Sequence, residues 1–295
     1  MYSPRYTITN TILRYIGTIE AAREVIDTAP LLPYYEKEFQ RNALVRSVHF
    51  GTHIEGNELN LTDAEKAMFG EEVIARDRDV QEVINYRKVM EYIGEFRIQS
   101  SEFRINEDLL AHLHALTVAK LLENERVGKY RTTQVVVKNS QSGEVSFRPP
   151  EAVEVRFQMQ ELEDFINSEK DIHPVLKSGI VHFEFVRIHP FVDGNGRVAR
   201  ALSTLILFQE GYDIRKFFSL EEYFDTNAPR YYEALQSVGK RSGDMTLWLE
   251  YFTEGLAIEL SRIKNQVERI SVDGKLKQKL GGKPLLLTDR QLKII

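Results

Sequence analysis

Apolar residues recur every three to four positions along almost the whole chain, and that periodicity restricts the fold to packed helices. Ile12, Tyr15, Ile16, Ile19, Ala22 and Ile26 form the first such stripe. The spacing predicts a second helix over about 34–53 and a third opened by a capping box at Thr62 and Glu65. Further helices are predicted over about 80–96, 106–122, 152–166, 175–188, 195–210, 228–238 and 245–270. One segment departs. RTTQVVVKNSQSGEVSFRPP, residues 131–150, alternates β-formers around NSQSG and stops at two prolines, the pattern of a hairpin. A lone hairpin is barely stable in water, so this one is expected to lean on the helices as a flap. The expected fold class is mainly α, a helical bundle with a small β-hairpin flap.

Composition removes several kinds of chemistry. The chain has 295 residues and no cysteine, which excludes disulfides, thiolate nucleophiles and Cys-ligated zinc. A net charge of −5 argues against a broadly basic nucleic-acid binder, although KLKQK near the C-terminus is a local exception. No apolar run is long enough to span a membrane, and MYSPRYTITN lacks the apolar core of a signal peptide. A cytoplasmic protein without membrane contact is the expectation.

The chemistry concentrates in HPFVDGNGRVAR, residues 189–200. Gly194, Asn195 and Gly196 are poor helix-interior residues, whereas Val198, Ala201, Leu202, Leu205 and Phe208 start an apolar stripe. The polar cluster therefore lies at a helix N-terminus, where free N–H groups and the dipole favour an anion. Each residue alone has an ordinary reading: Asp193 as N-cap, His189-Pro190 as a turn, the arginines as a solvated face. Together they converge on one chemistry. Glycines let the backbone approach a phosphate closely. Arg197 and Arg200, three apart, lean towards one site and match phosphate oxygens bidentately. Asp193 is the hard oxygen ligand that Mg²⁺ takes beside a polyphosphate, and His189 accepts a proton near neutral pH. The other six histidines, His49, His53, His112, His114, His173 and His182, have no HExxH spacing and read as core or surface.

The stretch resembles the signature of Fic-domain proteins, HPFx(D/E)GNGRxxR, and matches it at every specified position. GKYR ahead of the hairpin (128–131) and RYYEAL (230–235) look like the family's neighbouring segments. The resemblance spans about 106–252. It implies a Mg²⁺- and ATP-dependent transfer of AMP to a Ser, Thr or Tyr hydroxyl of a protein target, the chain itself included. By that resemblance His189 is the base and Asp193 holds the metal. Gly194, Asn195 and Gly196 form the anion hole, with Asn195 on the α-phosphate. Arg197 and Arg200 take the β- and γ-phosphates, and Phe191 pins the loop. Tyr231 and Tyr232 are placed near the adenine, with burial in the core an equal reading. Val135, Val136 and Val137 of the flap are expected to pair with the target backbone.

FGTHIEGNEL, 50–59, carries a second signal. It reads as a helix C-terminus with Gly56 as cap. It also resembles the inhibitory motif (S/T)xxxE(G/N) of many Fic proteins, which implies that Glu55 pairs with Arg200. Gly51 stands where the motif has Ser or Thr, with Thr52 beside it.

The expected organisation is an N-terminal helical region (1–105) bearing the inhibitory helix at about 34–56, then a Fic core (106–252). A C-terminal helix and basic linker (253–283) follow. The last residues, 284–295, contain TDRQLKII, in which Thr288 and Gln291 make a capping box. They resemble the start of a winged helix, which leaves a DNA-binding regulator as an alternative. Removal of AMP, or transfer of another phosphate-linked group, remains open at the same site.

Overall fold

The computed structural model describes residues 2–95, 104–138, 145–168 and 171–279, with side chains to residue 270 except those of Lys138 and Ser146. Among them the chain forms eleven α-helices and one two-stranded ladder. The helices α1 (Asn10–Thr28) and α11 (Thr246–Lys279) pack along each other. Thr9 opens α1 by accepting a hydrogen bond from Ile12 N–H, and Ile12, Ile19, Ala22 and Ile26 line its buried face. Two hydrophobic helices, α7 (Pro174–Ile188) and α8 (Asn195–Gln209), form the centre. Both are buried along nearly their whole length, and one apolar core runs from Ile12 through them to Val267. Trp248 of α11 donates its indole N–H to Gly179 O of α7 at 2.7 Å, satisfying the one polar atom of a fully buried ring.

Around that centre stand α2 (Pro33–His53), α3 (Leu61–Met68), α4 (Asp77–Glu95) and α5 (Glu107–Val118). Both α2 and α4 pack on α8 as well as on each other. The rest of the shell is α6 (Val155–Ser168), packed on α7, α9 (Glu221–Thr226), packed on α2, and α10 (Ala228–Lys240), packed on α11. The capping box expected at Thr62 and Glu65 is displaced. Asn60 is the cap, accepting from Asp63 N–H at 3.0 Å and donating to the Asp63 carboxylate at 2.8 Å, so the box closes two residues earlier. The predicted start of α6 is a 3₁₀ turn at Ala152–Glu154. Six-residue α9 had no sequence signal, because it is too short to repeat a stripe.

Strands β1 (Val137–Lys138) and β2 (Val145–Phe147) pair antiparallel, Val137 opposite Phe147. The ladder is shorter than the alternation over 131–150 suggests: Val135 and Val136 lie outside it. The NSQSG turn and the TDRQLKII segment fall outside the described residues. No helix among those described is long and apolar enough to cross a membrane.

Candidate active site

The loop 189–194 joins α7 to α8, and its shape begins with His189. At φ +52° and ψ +60° that residue caps α7 in the left-handed region, which a non-glycine side chain occupies at a cost. The neighbours hold it there. His189 Nδ1 lies 3.3 Å from Val186 O; a carbonyl only accepts, so Nδ1 carries the proton and Nε2 the lone pair. Burial lowers the ring's pKa below its ordinary value, which keeps it neutral and basic at pH 7.

Arg131, the last residue of GKYR, is the main clamp of this loop, a role that its place in that segment did not suggest. Its backbone N–H donates to Pro190 O at 2.8 Å. Its buried guanidinium donates to the carbonyls of His189, Thr133, Pro150 and Ile188 at 2.8, 3.2, 2.6 and 3.4 Å. Phe191 is fully buried, as the resemblance implies, and lies flat on His114 with ring centroids 3.8 Å apart. His114 belongs to the histidines read as core or surface, yet it positions the loop. Its Nδ1 accepts from Gly128 N–H at 2.9 Å, so Nε2 carries the proton towards Asp193 O at 3.2 Å.

The side chain of Asn195, which the resemblance puts on an α-phosphate, is engaged with its own loop. It is turned back onto the loop, accepting from Phe191 N–H at 2.9 Å and donating to Phe191 O at 2.8 Å. What it leaves for an anion is its backbone N–H. Gly194 takes φ +78°, and an added Cβ would lie 2.9 Å from Val118 Cγ1, so α5 leaves room only for glycine.

Charge around the start of α8 is arranged in two groups. Asp193 Oδ1 accepts from Gly194 N–H at 2.6 Å, and Oδ2 accepts from Arg78 of α4 at 3.3 Å. Arg197 is buried, with the long ion pairs Glu82 at 3.5 Å and Asp193 at 3.7 Å, and its Nε and Nη1 have no hydrogen-bond partner among the described residues. On the other side, Arg200 Nη2 donates to Glu55 Oε1 at 2.8 Å and to Gly51 O at 2.7 Å. Burial alone would lower the arginine's pKa, but Glu55, Tyr86 and Tyr231 together outweigh it and raise it above the ordinary range. A Cβ added to Gly196 would overlap Glu55 Oε1, so that carboxylate lies against the first turn of α8.

A cavity of about 760 Å³ opens beside this turn. It brings together His189, Gly196, Glu55, Tyr231, Tyr232 and Val137, with Phe147 of the flap opposite. Asp193, Asn195, Arg197, Arg200, Val135 and Val136 do not line it. Glu55 is the reason for Arg200, since it stands between that side chain and the open space. Tyr231 is at once cavity wall and core: it is 2% exposed, and its hydroxyl is 2.9 Å from His182 Nε2. Ser203 Oγ donates to Ala199 O and so accepts from His182 Nδ1, which makes Tyr231 the donor to Nε2. Tyr232 is half exposed and reaches Ile54 O at 3.4 Å.

No cluster of three metal-ligating side chains occurs among the described residues. Asp193 alone still suits Mg²⁺, which commonly takes one or two carboxylates and completes its shell with phosphates and water. The unpartnered donors of Arg197 beside it suit the phosphates.

Burial holds the His182 pKa down at about 3 and that of His114 at about 4. Folding therefore favours the neutral rings. Their contribution is complete above the ordinary value near 6.5 and is lost as pH falls towards the folded values. The melting temperature should drop between pH 6.5 and 4, with up to about 2 kcal/mol lost per histidine by pH 5. A melting temperature constant over that range would contradict these neutral assignments.

Fold and site together define a class: mostly helical proteins with an anion-binding helix start beside a neutral histidine. Residues 104–207 match the Fic/DOC family model. The chain is 28% identical over 205 residues to a protein adenylyltransferase Fic of Drosophila willistoni, covering 68% of this chain and 39% of that protein. With a protein of the same name from Nematostella vectensis it shares 28% over 221 residues, 71% of this chain and 48% of that one. The chain thus spans less than half the length of these relatives. A crystal structure of a Fic family protein from Desulfovibrio desulfuricans G20 superposes with a TM-score of 0.75 at 26% identity, covering 90% of this chain and 77% of that one. A Fic domain containing signaling protein from Bacteroides thetaiotaomicron shares the fold, with a TM-score of 0.70 at 22% identity over 90% and 97% of the two chains. Over residues 104–207, which hold the 189–194 loop and most of α8, the chain is similar to the Fic/DOC family.

Proposed function

We propose that this protein is an adenylyltransferase that moves AMP from ATP to a Ser, Thr or Tyr hydroxyl of a protein, its own chain included, and that Glu55 restrains it. One observation carries the reading: Glu55 occupies the start of α8 on Arg200, on the same cavity as His189. A carboxylate there stands in for the anion that the helix start is built to hold.

With Glu55 withdrawn, the backbone N–H groups of α8 and the two arginines face a triphosphate. Asp193 would hold Mg²⁺, which when bound neutralises phosphate charge. His189 Nε2 takes the proton of the acceptor hydroxyl as its oxygen bonds to the α-phosphorus. The bond from that phosphorus to the bridging oxygen breaks, and pyrophosphate leaves. Arg200 and Arg197 stabilise the charge that develops on it. Val137 and Phe147 flank the entrance and offer the acceptor segment a strand edge, with Val135 and Val136 extending the flap outside the ladder.

The test uses the Glu55→Gly chain with Mg²⁺ and ATP labelled at either the α- or the γ-phosphorus, followed by intact mass measurement. A gain of one AMP carrying only the α label is expected, on the chain or on an added target. Transfer of the γ label, or no transfer to any protein, would overturn the assignment.

A further inference from the structure

Glu55 stands on an exposed turn, and the residues on either side of it are held very differently. Upstream, the chain is fixed to the body of the protein. The helix α2 packs on α3, α4, α8 and α9, and its last turns leave no slack: a Cβ added at Gly51 would overlap Tyr86 Cε1 of α4. His53 Nδ1 lies 2.8 Å from Asp225 Oδ1 of α9, and Tyr232 donates to Ile54 O at 3.4 Å. Withdrawal of Glu55 therefore falls to the residues after it.

Gly56 is the free joint. It takes φ +96°, and an added Cβ there would meet nothing within 4 Å. Asn57, the next residue, is buried, and both polar atoms of its side chain are engaged. Nδ2 donates to Asp79 O at 2.9 Å and to Glu82 Oε2 at 3.1 Å, and Oδ1 accepts from Leu59 N–H at 3.1 Å. Both acceptors of Nδ2 belong to the first two turns of α4 and are themselves buried. Glu82 Oε1 faces the other way, accepting from Arg78 Nε at 3.1 Å and standing 3.5 Å from Arg197 Nη1. One buried carboxylate thus seats the turn with one oxygen and an arginine of the site with the other.

We propose that Asn57 is the positioning residue of the inhibitory carboxylate. Docked on Asp79 and Glu82 it keeps Glu55 on Arg200; undocked, it lets the turn swing about Gly56 and clear the start of α8. The restraint is then set in α4 as well as by the Glu55–Arg200 pair. This assignment rests on the proposed function, in which Glu55 is the restraint.

Four chains test it: wild type, Glu55→Gly, Asn57→Asp and the double variant, each assayed for AMP incorporation into the chain or an added target and for thermal melting. Asp keeps the shape of the side chain and the acceptor for Leu59 N–H, and removes only the NH₂ that faces α4. With Glu55 present, Asn57→Asp should raise transfer about ten-fold, the size of a lost hydrogen bond to a charged group. With Glu55 removed, the same change should leave transfer within about two-fold, as for independent sites, because no carboxylate is left to release. The melting temperature should fall alike in both backgrounds, since the bonds to α4 are lost in both. Asn57→Ala, which adds no charge beside Glu82, should repeat the pattern and serves if the Asp variant does not fold. If Glu55→Gly raises transfer but the Asn57 variants do not, or act alike in both backgrounds, Asn57 only supports the fold and this assignment alone fails. If Glu55→Gly itself gains nothing, the reading of Glu55 fails and the assignment falls with it.

Discussion

Replacing His189 by alanine is expected to cut AMP transfer about 10²–10⁴-fold while nucleotide affinity stays essentially unchanged. The two parts have separate causes. The imidazole is held with Nε2 free and its pKa lowered by burial, so at pH 7 it can take a proton from an approaching hydroxyl. The groups proposed to bind phosphate are the N–H groups of α8 and the arginines Arg197 and Arg200, none of which uses the ring. Labelled-AMP incorporation, read beside calorimetric ATP titration, separates the effects. Wild-type transfer by a folded alanine variant would mean that His189 is not the base. Because the ring's pKa is depressed, the wild-type rate should fall only on the acid side, below about pH 6.5.

Removing Glu55 is expected to act in the opposite direction. Its carboxylate ties up one nitrogen of Arg200 and covers the first turn of α8, where a Cβ at residue 196 would overlap it. A triphosphate that enters beside it is displaced, and misplacement of about 1 Å can cost about 10²-fold in rate. Glu55→Gly should therefore raise AMP incorporation by about 10- to 100-fold. Its melting temperature should fall modestly, since Arg200 keeps its hydrogen bond to Gly51 O. Glu55 is not a helix cap: α2 ends at His53, and the turn beyond it closes through Gly56 N–H to His53 O at 2.8 Å. Loss of a turn residue would lower stability and leave the rate alone. An unchanged rate in folded Glu55→Gly would sink the inhibitory role.

The long helices and the loop at 189–194 were legible in the sequence because each depends on neighbouring residues: a stripe, a cap, a run of glycines. The partnership of Glu55 with Arg200 came from resemblance, since nothing local to either residue announces a contact across 145 positions. What sequence reasoning missed is long-range in the same sense. Arg131 sits in a segment read as a strand, and only the folded chain shows its guanidinium among four carbonyls. His114 looks like any apolar-face histidine until Phe191 is stacked on it. The place of Asn195 on a phosphate came from resemblance, and nothing in the sequence announces the two hydrogen bonds that tie its amide to the Phe191 backbone. Gly51 looked like a defect in a motif. Tyr86, 35 positions on, is the physical reason for it.

Arg131 also fixes how the flap can move. Two residue pairs of β-ladder cannot orient a hairpin. One guanidinium bonded to Thr133 and Pro150 at the two roots of the flap, and to Ile188 and His189 at the end of α7, supplies the missing reference. Flap and histidine thus share one coordinate frame. When the flap tilts, its roots keep their offset from the imidazole, so whatever backbone lies along the strand edge is measured from the base itself. Under the proposed function, an acceptor hydroxyl would then be selected by its distance along the chain from the paired segment, and a sequence shifted by one residue would present its hydroxyl on the wrong face.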